Sequence, residues 1–332
     1  MHGTRRLGSA IGGGLALGAA AAAWLAPALA QQPWPASQLT LVVPFPPGGS
    51  TDALARMIQA GLQPRLAGTT LIVENKAGAS GAIGAAQVAK AKPDGSTFLI
   101  TFDSHAVNPA LQPLQFDTEK DLEPVLLVGT APYLLATHPS RPFKTFADVV
   151  MASKEKPGSL SYASVGTGTL GHLAMVQLAK AADIDIKHVP YRGGGPAMND
   201  AVAGHVDFII GSVALITPQL GVGALRPVMQ TGQQRVPALK DVMTIGESGF
   251  KGLETLAWWG VFAPKGTPKA IVERMSSEIT AVLKEEKAAK ILSEVQQMTL
   301  VFGGPEPLRS FLAREIKVWG DVVRANGIKG AN

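Results

Sequence analysis

The chain contains no cysteine. No disulfide can hold it together, and no thiolate can serve as nucleophile or metal ligand. Its stability must come from packing. Basic residues are scattered singly, with no run of five and no interleaved aromatic stripe, which argues against a nucleic-acid surface. Metal patterns are missing as well: His105, His138, His172, His188 and His205 form no i, i+4 pair with an acid, and there is no H-E-x-x-H string. A G-x-S-x-G elbow is absent, and no spacing ties Ser, His and Asp into a triad. No repeat of solenoid length occurs, and no low-complexity tract lies beyond the first thirty residues.

Those first thirty residues carry a pattern of their own. Arg5 and Arg6 precede a charge-free Ala/Gly/Leu stretch that closes on Ala28-Leu29-Ala30, as in a secretory signal cleaved after Ala30 at an A-x-A site. Pro27 and the abundance of Gly and Ala make a membrane anchor the poorer fit. The arginine pair hints at the twin-arginine route while Leu7-Gly8 fit it badly, so both export routes stay open. A periplasmic location is expected. Loss of Arg5 and Arg6 lowers the formal net charge from +5 to +3, a mild excess that suits a small anionic ligand.

From Gln31 to Asn332 the chain is long enough for two lobes with separate cores. Short apolar, β-branched runs predict strands at residues 39–44, 71–74, 98–102, 159–163, 187–190 and 206–210. Helix-period segments separate them. Leu54, Met57, Ile58, Leu62 and Leu66 share one face, and Leu173, Val176, Gln177 and Ala181 begin another. Such alternation predicts an α/β fold with mostly parallel sheets. A strand, glycine-rich turn and helix near residue 45 recur near residue 163, which suggests two similar lobes. The runs 125–138 and 225–230 are read as two hinge crossings. The C-terminal third is read as a return to the first lobe, with helices over 268–284 and 305–325 starting at prolines and a charged surface helix over 285–295.

Four glycine-rich turns each lead into a helix: Pro44 to Asp52, Gly78 to Gly84, Ser161 to His172, and Arg192 to Pro196. A helix N-terminus offers unpaired N–H donors and partial positive charge, and glycine lets a ligand approach the main chain. Ser50 or Thr51 is positioned to cap the first helix. Donors from opposing turns would hold a carboxylate without an arginine, since each charge-assisted bond contributes about 1.5–3 kcal/mol against about 8 kcal/mol for micromolar binding. The segment Gly166 to Gly171 also spells G-x-G-x-x-G. A dinucleotide fold would place an acid near the end of the next strand, whereas that strand leads to Pro190-Tyr191-Arg192. Asp52 and Asp207 have plain structural readings beside functional ones: a helix-start acid and a strand-end charge that could orient the second-lobe loops. His172 reads more readily as a structural histidine than as a ligand contact. Trp258 and Trp259 read as core.

The segment Pro44-Phe45-Pro46-Pro47-Gly48-Gly49-Ser50-Thr51-Asp52-Ala53-Leu54-Ala55-Arg56 resembles the first signature of the Bug, or TctC-like, receptors of tripartite tricarboxylate transporters. Further matching stretches are 73–81, 89–97, 189–193, 204–207 and 262–268, so the likeness runs along most of the chain. It implies a two-lobed fold of the type II periplasmic-binding-protein kind, joined by hinge strands, with lobe 1 over 33–132 and 227–332 and lobe 2 over 133–226. It implies a Venus flytrap that closes on a small carboxylate-bearing solute and delivers it to membrane transporter subunits, with no catalysis, cofactor or metal. The ligand-binding residues expected are Phe45, Gly48, Gly49, Ser50, Thr51, Asp52, Ala79, Ser80, Ser164, Gly166, Thr167, Gly168, Thr169 and Asp207. Gly193-Gly194-Gly195 departs from the family's usual turn. Phe45, Asp103, Ser104 and His105 are expected near the ligand's far end. Dicarboxylates, amino acids and aromatic acids all fit, and the protein is expected to act as a monomer. The rival expectation is a secreted α/β enzyme using the glycine-rich loop 166–171 for a cofactor or anionic substrate, with His172 as its other support.

Overall fold

A computed structural model describes residues 34–66 and 68–330; the expected signal segment and its cleavage site lie outside them. In chain order, β1 (Gln38–Val43), α1 (Ser50–Leu62), β2 (Thr70–Asn75), α2 (Ala82–Ala89), β3 (Thr97–Phe102) and α3 (Ser104–Leu111) alternate before the long strand β4 (Leu122–Thr137). A second series follows: α4 (Phe146–Glu155), β5 (Leu160–Ser164), α5 (Leu170–Ala182), β6 (Ile186–Pro190), α6 (Gly194–Val202), β7 (Phe208–Ser212), α7 (Val213–Gly221) and β8 (Arg226–Gln230). The chain closes with β9 (Leu256–Pro264), α8 (Lys269–Lys284), α9 (Glu286–Lys290), β10 (Thr299–Gly303) and α10 (Pro305–Ala325). Among the described residues, no helix is long and apolar enough to cross a membrane.

The strands form two sheets that share β4. One has the order β2-β1-β3-β9-β4, with β10 also against β4, and the other runs β4-β7-β5-β6, with β8 against β4. Leu122 to Pro132 pair with β9 in the first sheet, and Tyr133 to Thr137 pair with β7 in the second. Both sheets are mixed. The triplets β2-β1-β3 and β7-β5-β6 are parallel, whereas β4, β8, β9 and β10 add antiparallel neighbours. The mostly parallel expectation therefore holds only for the outer triplets. A chain that leaves one sheet along β4 and re-enters it along β9 pairs those strands in opposite senses.

Burial explains the elements. Leu39, Leu41, Val42 and Val43 in β1 are fully buried, as in a parallel strand covered on both faces. On α1, Leu54, Ala55, Ile58 and Leu62 turn inward. On α5 the buried face is Leu173, Ala174, Leu178 and Ala182, rotated from the one read through Gln177 and Ala181. Pro305 opens α10, whose Leu308, Leu312, Trp319 and Val323 are buried. Trp258 and Trp259 lie in the core with no exposed surface.

The crossing between sheets is tied by main-chain bonds and one threonine hydroxyl. Tyr133 N donates to Thr231 Oγ1 at 2.9 Å, Thr231 N donates to the Tyr133 carbonyl at 2.9 Å, and Thr255 N donates to the Thr231 carbonyl at 3.0 Å. β8 lies wholly in the second sheet. The return crossing accordingly starts at Thr231, after the expected run over 225–230 has ended.

Candidate functional site

The first wall of the cleft is the turn from β1 to α1. Gly48 adopts φ +87°, which glycine tolerates, and Gly49 is the N-cap of α1 with no side-chain cap bond. The expected capping by Ser50 or Thr51 does not occur, because both already lie within the first helical turn. Their amides have no acceptor within the helix. Asp52 is 4% exposed and braces the turn: Oδ2 accepts from Gly48 N at 3.1 Å and Arg56 Nε at 3.0 Å, and Oδ1 accepts from Asn75 Nδ2 at 2.9 Å. Burial alone would raise this carboxyl, but Arg56, Asn75 and the Gly48 amide together hold it below the ordinary aspartate range.

The second wall is the turn from β5 to α5, and its amides are largely spoken for. Gly166 N donates to Ser164 Oγ at 3.3 Å, Gly168 N to His172 Nδ1 at 3.1 Å, and Thr169 N to the Gly166 carbonyl at 3.3 Å. Leu170 N reaches across to Asp103 Oδ1 at 3.4 Å. Below this turn His172 and His188 stack with ring centroids 4.0 Å apart, and His188 Nε2 meets Ser164 Oγ at 2.7 Å. Burial presses His172 down to about 4; burial and the His172 ring press His188 down to about 3. Both are neutral structural groups.

Two further turns complete the enclosure. Ala79 and Ser80 hold φ +47° and +50°, left-handed values that cost of order 1–3 kcal/mol each for non-glycine residues and cluster at ligand clamps. Ser80 Oγ donates to the Thr167 carbonyl at 2.7 Å and so joins this turn to the second wall. Ser104 Oγ and Asn108 Nδ2 fix the Ser80 carbonyl at 2.7 and 3.0 Å. From the second lobe, Gly193 to Gly195 press main chain to main chain against Pro46 to Gly49. A Cβ on Gly195 would lie 2.6 Å from the Pro47 carbonyl oxygen, and one on Gly193 would lie 2.7 Å from Pro46 Cδ. Neither position has room for a side chain.

Two spaces lie between the walls. An inner chamber of about 20 Å³ is bounded by Ser50, Thr51, Phe102, Gly194, Ser212 and Leu215, among others, which is room for about one water molecule. An outer cavity of about 800 Å³ is bordered by Ser80, Gln112, Thr167, Tyr191 and Arg192. Phe45 and Val165 line both spaces and stand between them.

The structure gathers most of the expected residues but not all. Phe45, Gly49, Ser50 and Thr51 line the inner chamber; Ala79, Ser80, Gly166 and Thr167 line the outer cavity. Asp207 does not join them. It sits before β7, where its Oδ2 accepts from Ser161 N and Oγ at 2.9 Å each and its Oδ1 pairs with Arg141 at 3.2 Å. Ser161 lies near the start of β5 and Ser164 ends it, so Asp207 ties the far end of the sheet and lies away from the cleft. Asp103, Ser104 and His105 are likewise not cavity residues. Asp103 is fully buried, hydrogen-bonded by the Tyr133 hydroxyl as well as Leu170 N, and burial pushes its carboxyl up to about 8. His105 packs against Phe262 at 4.9 Å, and burial presses it down to about 3. Ser212 and Gln112 escaped the sequence reading, and Tyr191 and Arg192, which lay within a recognised stretch, were not named as ligand-binding residues. The first had a visible signal: Ser212 ends a strand and directly precedes a helix, as the other turns do.

Two α/β lobes closed over a cleft walled by bare glycines and helix starts define a receptor of the periplasmic-binding-protein class. The chain belongs to the family of tripartite tricarboxylate transporter receptors, whose model, TctC, matches residues 54–328. It is 38% identical over 292 residues to a UPF0065 protein from the tcbD-tcbE intergenic region of Pseudomonas sp. strain P51, covering 87% of this chain and 86% of the relative. It is 33% identical to Protein BugT of Bordetella pertussis, covering 93% and 95%. Among solved structures, an R. palustris protein with adipate superposes with a TM-score of 0.84 at 34% identity, covering 89% and 99%. MatC of Rhodopseudomonas palustris with bound malate gives 0.79 at 31%, covering 86% and 98%.

Proposed function

We propose that the chain is an extracytoplasmic receptor that captures a small carboxylate-bearing solute between its lobes and delivers it to the membrane subunits of a tripartite tricarboxylate-type transporter. The observation that carries the reading is the uncapped start of α1, with Gly49 at the N-cap, facing Gly194 of the second lobe across the inner chamber. An acid's carboxylate oxygen fits there against amide donors and a positive helix end. The rest of the solute lies in the outer cavity. Bound adipate and malate in the two similar structures support an acid as the ligand class.

In this reading the lobes comprise residues 33–132 with 227–332, and 133–226, and they rotate about the ties at Tyr133, Thr231 and Thr255. Export precedes cleavage after Ala30, the mature protein works as a monomer in the periplasm, and binding is its whole task. Ligand-dependent compaction in solution X-ray scattering, together with a thermal shift by organic acids but not by nicotinamide dinucleotides, is the expected result. An unchanged scattering profile with a saturating acid overturns the closure mechanism. Turnover with a dinucleotide replaces the receptor with an enzyme.

A further inference from the structure

Ser212 closes β7 and stands at the N-cap of α7, yet its side chain caps nothing. The residue is 2% exposed, and its Oγ has no hydrogen-bond partner among the described residues. Buried hydroxyls are rarely left so, because an unmade bond forfeits solvation without return. Hydroxyls elsewhere in the cleft turns are engaged: Ser80 with the Thr167 carbonyl, Ser104 with the Ser80 carbonyl, Thr169 with the Gly166 carbonyl. Ser212 also lines the inner chamber opposite Ser50 and Thr51. It pairs in register with Tyr133, the first residue of β4 in the second sheet, so it lies at the floor of the cleft beside the crossing strand.

We infer that Ser212 is a ligand-contacting residue: its hydroxyl donates to the innermost carboxylate oxygen of the acid, which the amides of α1 hold from the opposite lobe. The inference rests on the receptor reading and deepens it by naming a side-chain donor from the second lobe. Because the chamber is narrow and bounded by Phe45, Phe102, Val165 and Leu215, the hydroxyl has one small polar group to meet. It bridges the lobes only through ligand. The open protein loses nothing when it is removed.

The test is calorimetric titration of the mature protein and of Ser212→Ala with sodium adipate, malate, glutamate and benzoate, alongside ligand-free melting temperatures. The expected result is a loss of about tenfold in affinity for whichever acid binds the unaltered protein, with a ligand-free melting temperature equal or higher. Unchanged affinity in Ser212→Ala overturns the inference and leaves the receptor reading standing. A ligand-free melting temperature lowered by several degrees also overturns it, since the hydroxyl is then structural. Failure of the unaltered protein to bind any of the four acids removes the acid-receptor reading and this inference with it.

Discussion

The two walls of the cleft are built on the same strand-turn-helix plan and end in opposite states. On the first wall a single carboxylate, Asp52, braces the turn, and no side chain caps the amides at the start of α1. On the second wall Ser164, His172 and Asp103 accept the amides of Gly166, Gly168 and Leu170. Similar sequence patterns thus serve different tasks: one turn offers donors, and the other is locked into shape. The largest expected effect separates them. Gly49 has φ −85°, open to any residue, and its Cβ would face Gly194 at 3.7 Å. Gly49→Val is expected to keep the ligand-free fold and reduce acid affinity by about a hundredfold or more, as measured by calorimetry, since about 3 kcal/mol of charge-assisted bonding is blocked. Gly168 has φ +82°, and a Cβ there would lie 1.9 Å from Leu111 Cδ1. Gly168→Val is therefore expected to lower the ligand-free melting temperature as well as affinity. Equal behaviour of the two variants would erase the distinction.

Removing the brace comes next in size. Asp52→Asn keeps the shape but loses the ion pair with half-exposed Arg56 and the charge on the Gly48 bond; a cost of about 2 kcal/mol in stability is expected, read by urea unfolding. The lowered carboxyl sets the sign of its pH dependence. Its contribution is present above the ordinary value of 3.8 and lost as pH falls through the lower folded value, so wild type and variant should converge only in acid. Convergence already at neutral pH would mean that the brace carries no charge.

Much of this was legible beforehand because it depends on local pattern. The six early strand predictions fall on observed strands, the helices expected over 268–284 and 305–325 begin at Lys269 and Pro305, and the four glycine-rich turns at 44–52, 78–84, 161–172 and 192–196 each put residues along the cleft. What escaped depends on distant partners. That Leu170 N is consumed by Asp103, or that Asp207 clamps Ser161 at the far end of the sheet, follows from tertiary register, which no spacing encodes. Ser50 and Thr51 are good caps by type, yet the helix begins one residue early and puts both inside it. The antiparallel share of the sheets arises from the double crossing, visible only once β4 and β9 are paired.

Titration sharpens the comparison at intermediate size. Burial pushes Asp103 up to about 8, with Glu315 also raised by burial, so the folded protein keeps protons that the unfolded chain releases above its ordinary value. Stability then falls as pH rises toward 8. The histidines act oppositely. His105, His172 and His188 are pressed to between about 3 and 4 from 6.5, so the unfolded chain alone binds protons as pH drops below 6.5, and stability falls again. A melting-temperature maximum in the neutral range is expected, with a decline on either side of it. Asp103→Asn should flatten the alkaline side and leave the acid side in place. A profile unchanged by that variant would contradict a protonated, interlobe Asp103.

The smallest expected effect concerns a side-chain hydroxyl that reaches the second wall from the Ala79–Ser80 turn. Ser80 Oγ reaches the Thr167 carbonyl across the mouth of the cleft at 2.7 Å, a contact that exists only when the lobes have met. Such a bond contributes about 1 kcal/mol, and because it forms after the solute has entered, its loss should speed opening without slowing entry. Ser80→Ala keeps the backbone at φ +50° under the same holds from Ser104 and Asn108. Stopped-flow binding is expected to show an off-rate raised about fivefold and an on-rate within error of wild type. A reduced on-rate instead would mean that Ser80 meets the solute before the lobes meet each other, which would make the left-handed turn at Ala79 and Ser80 part of the open receptor's first grip.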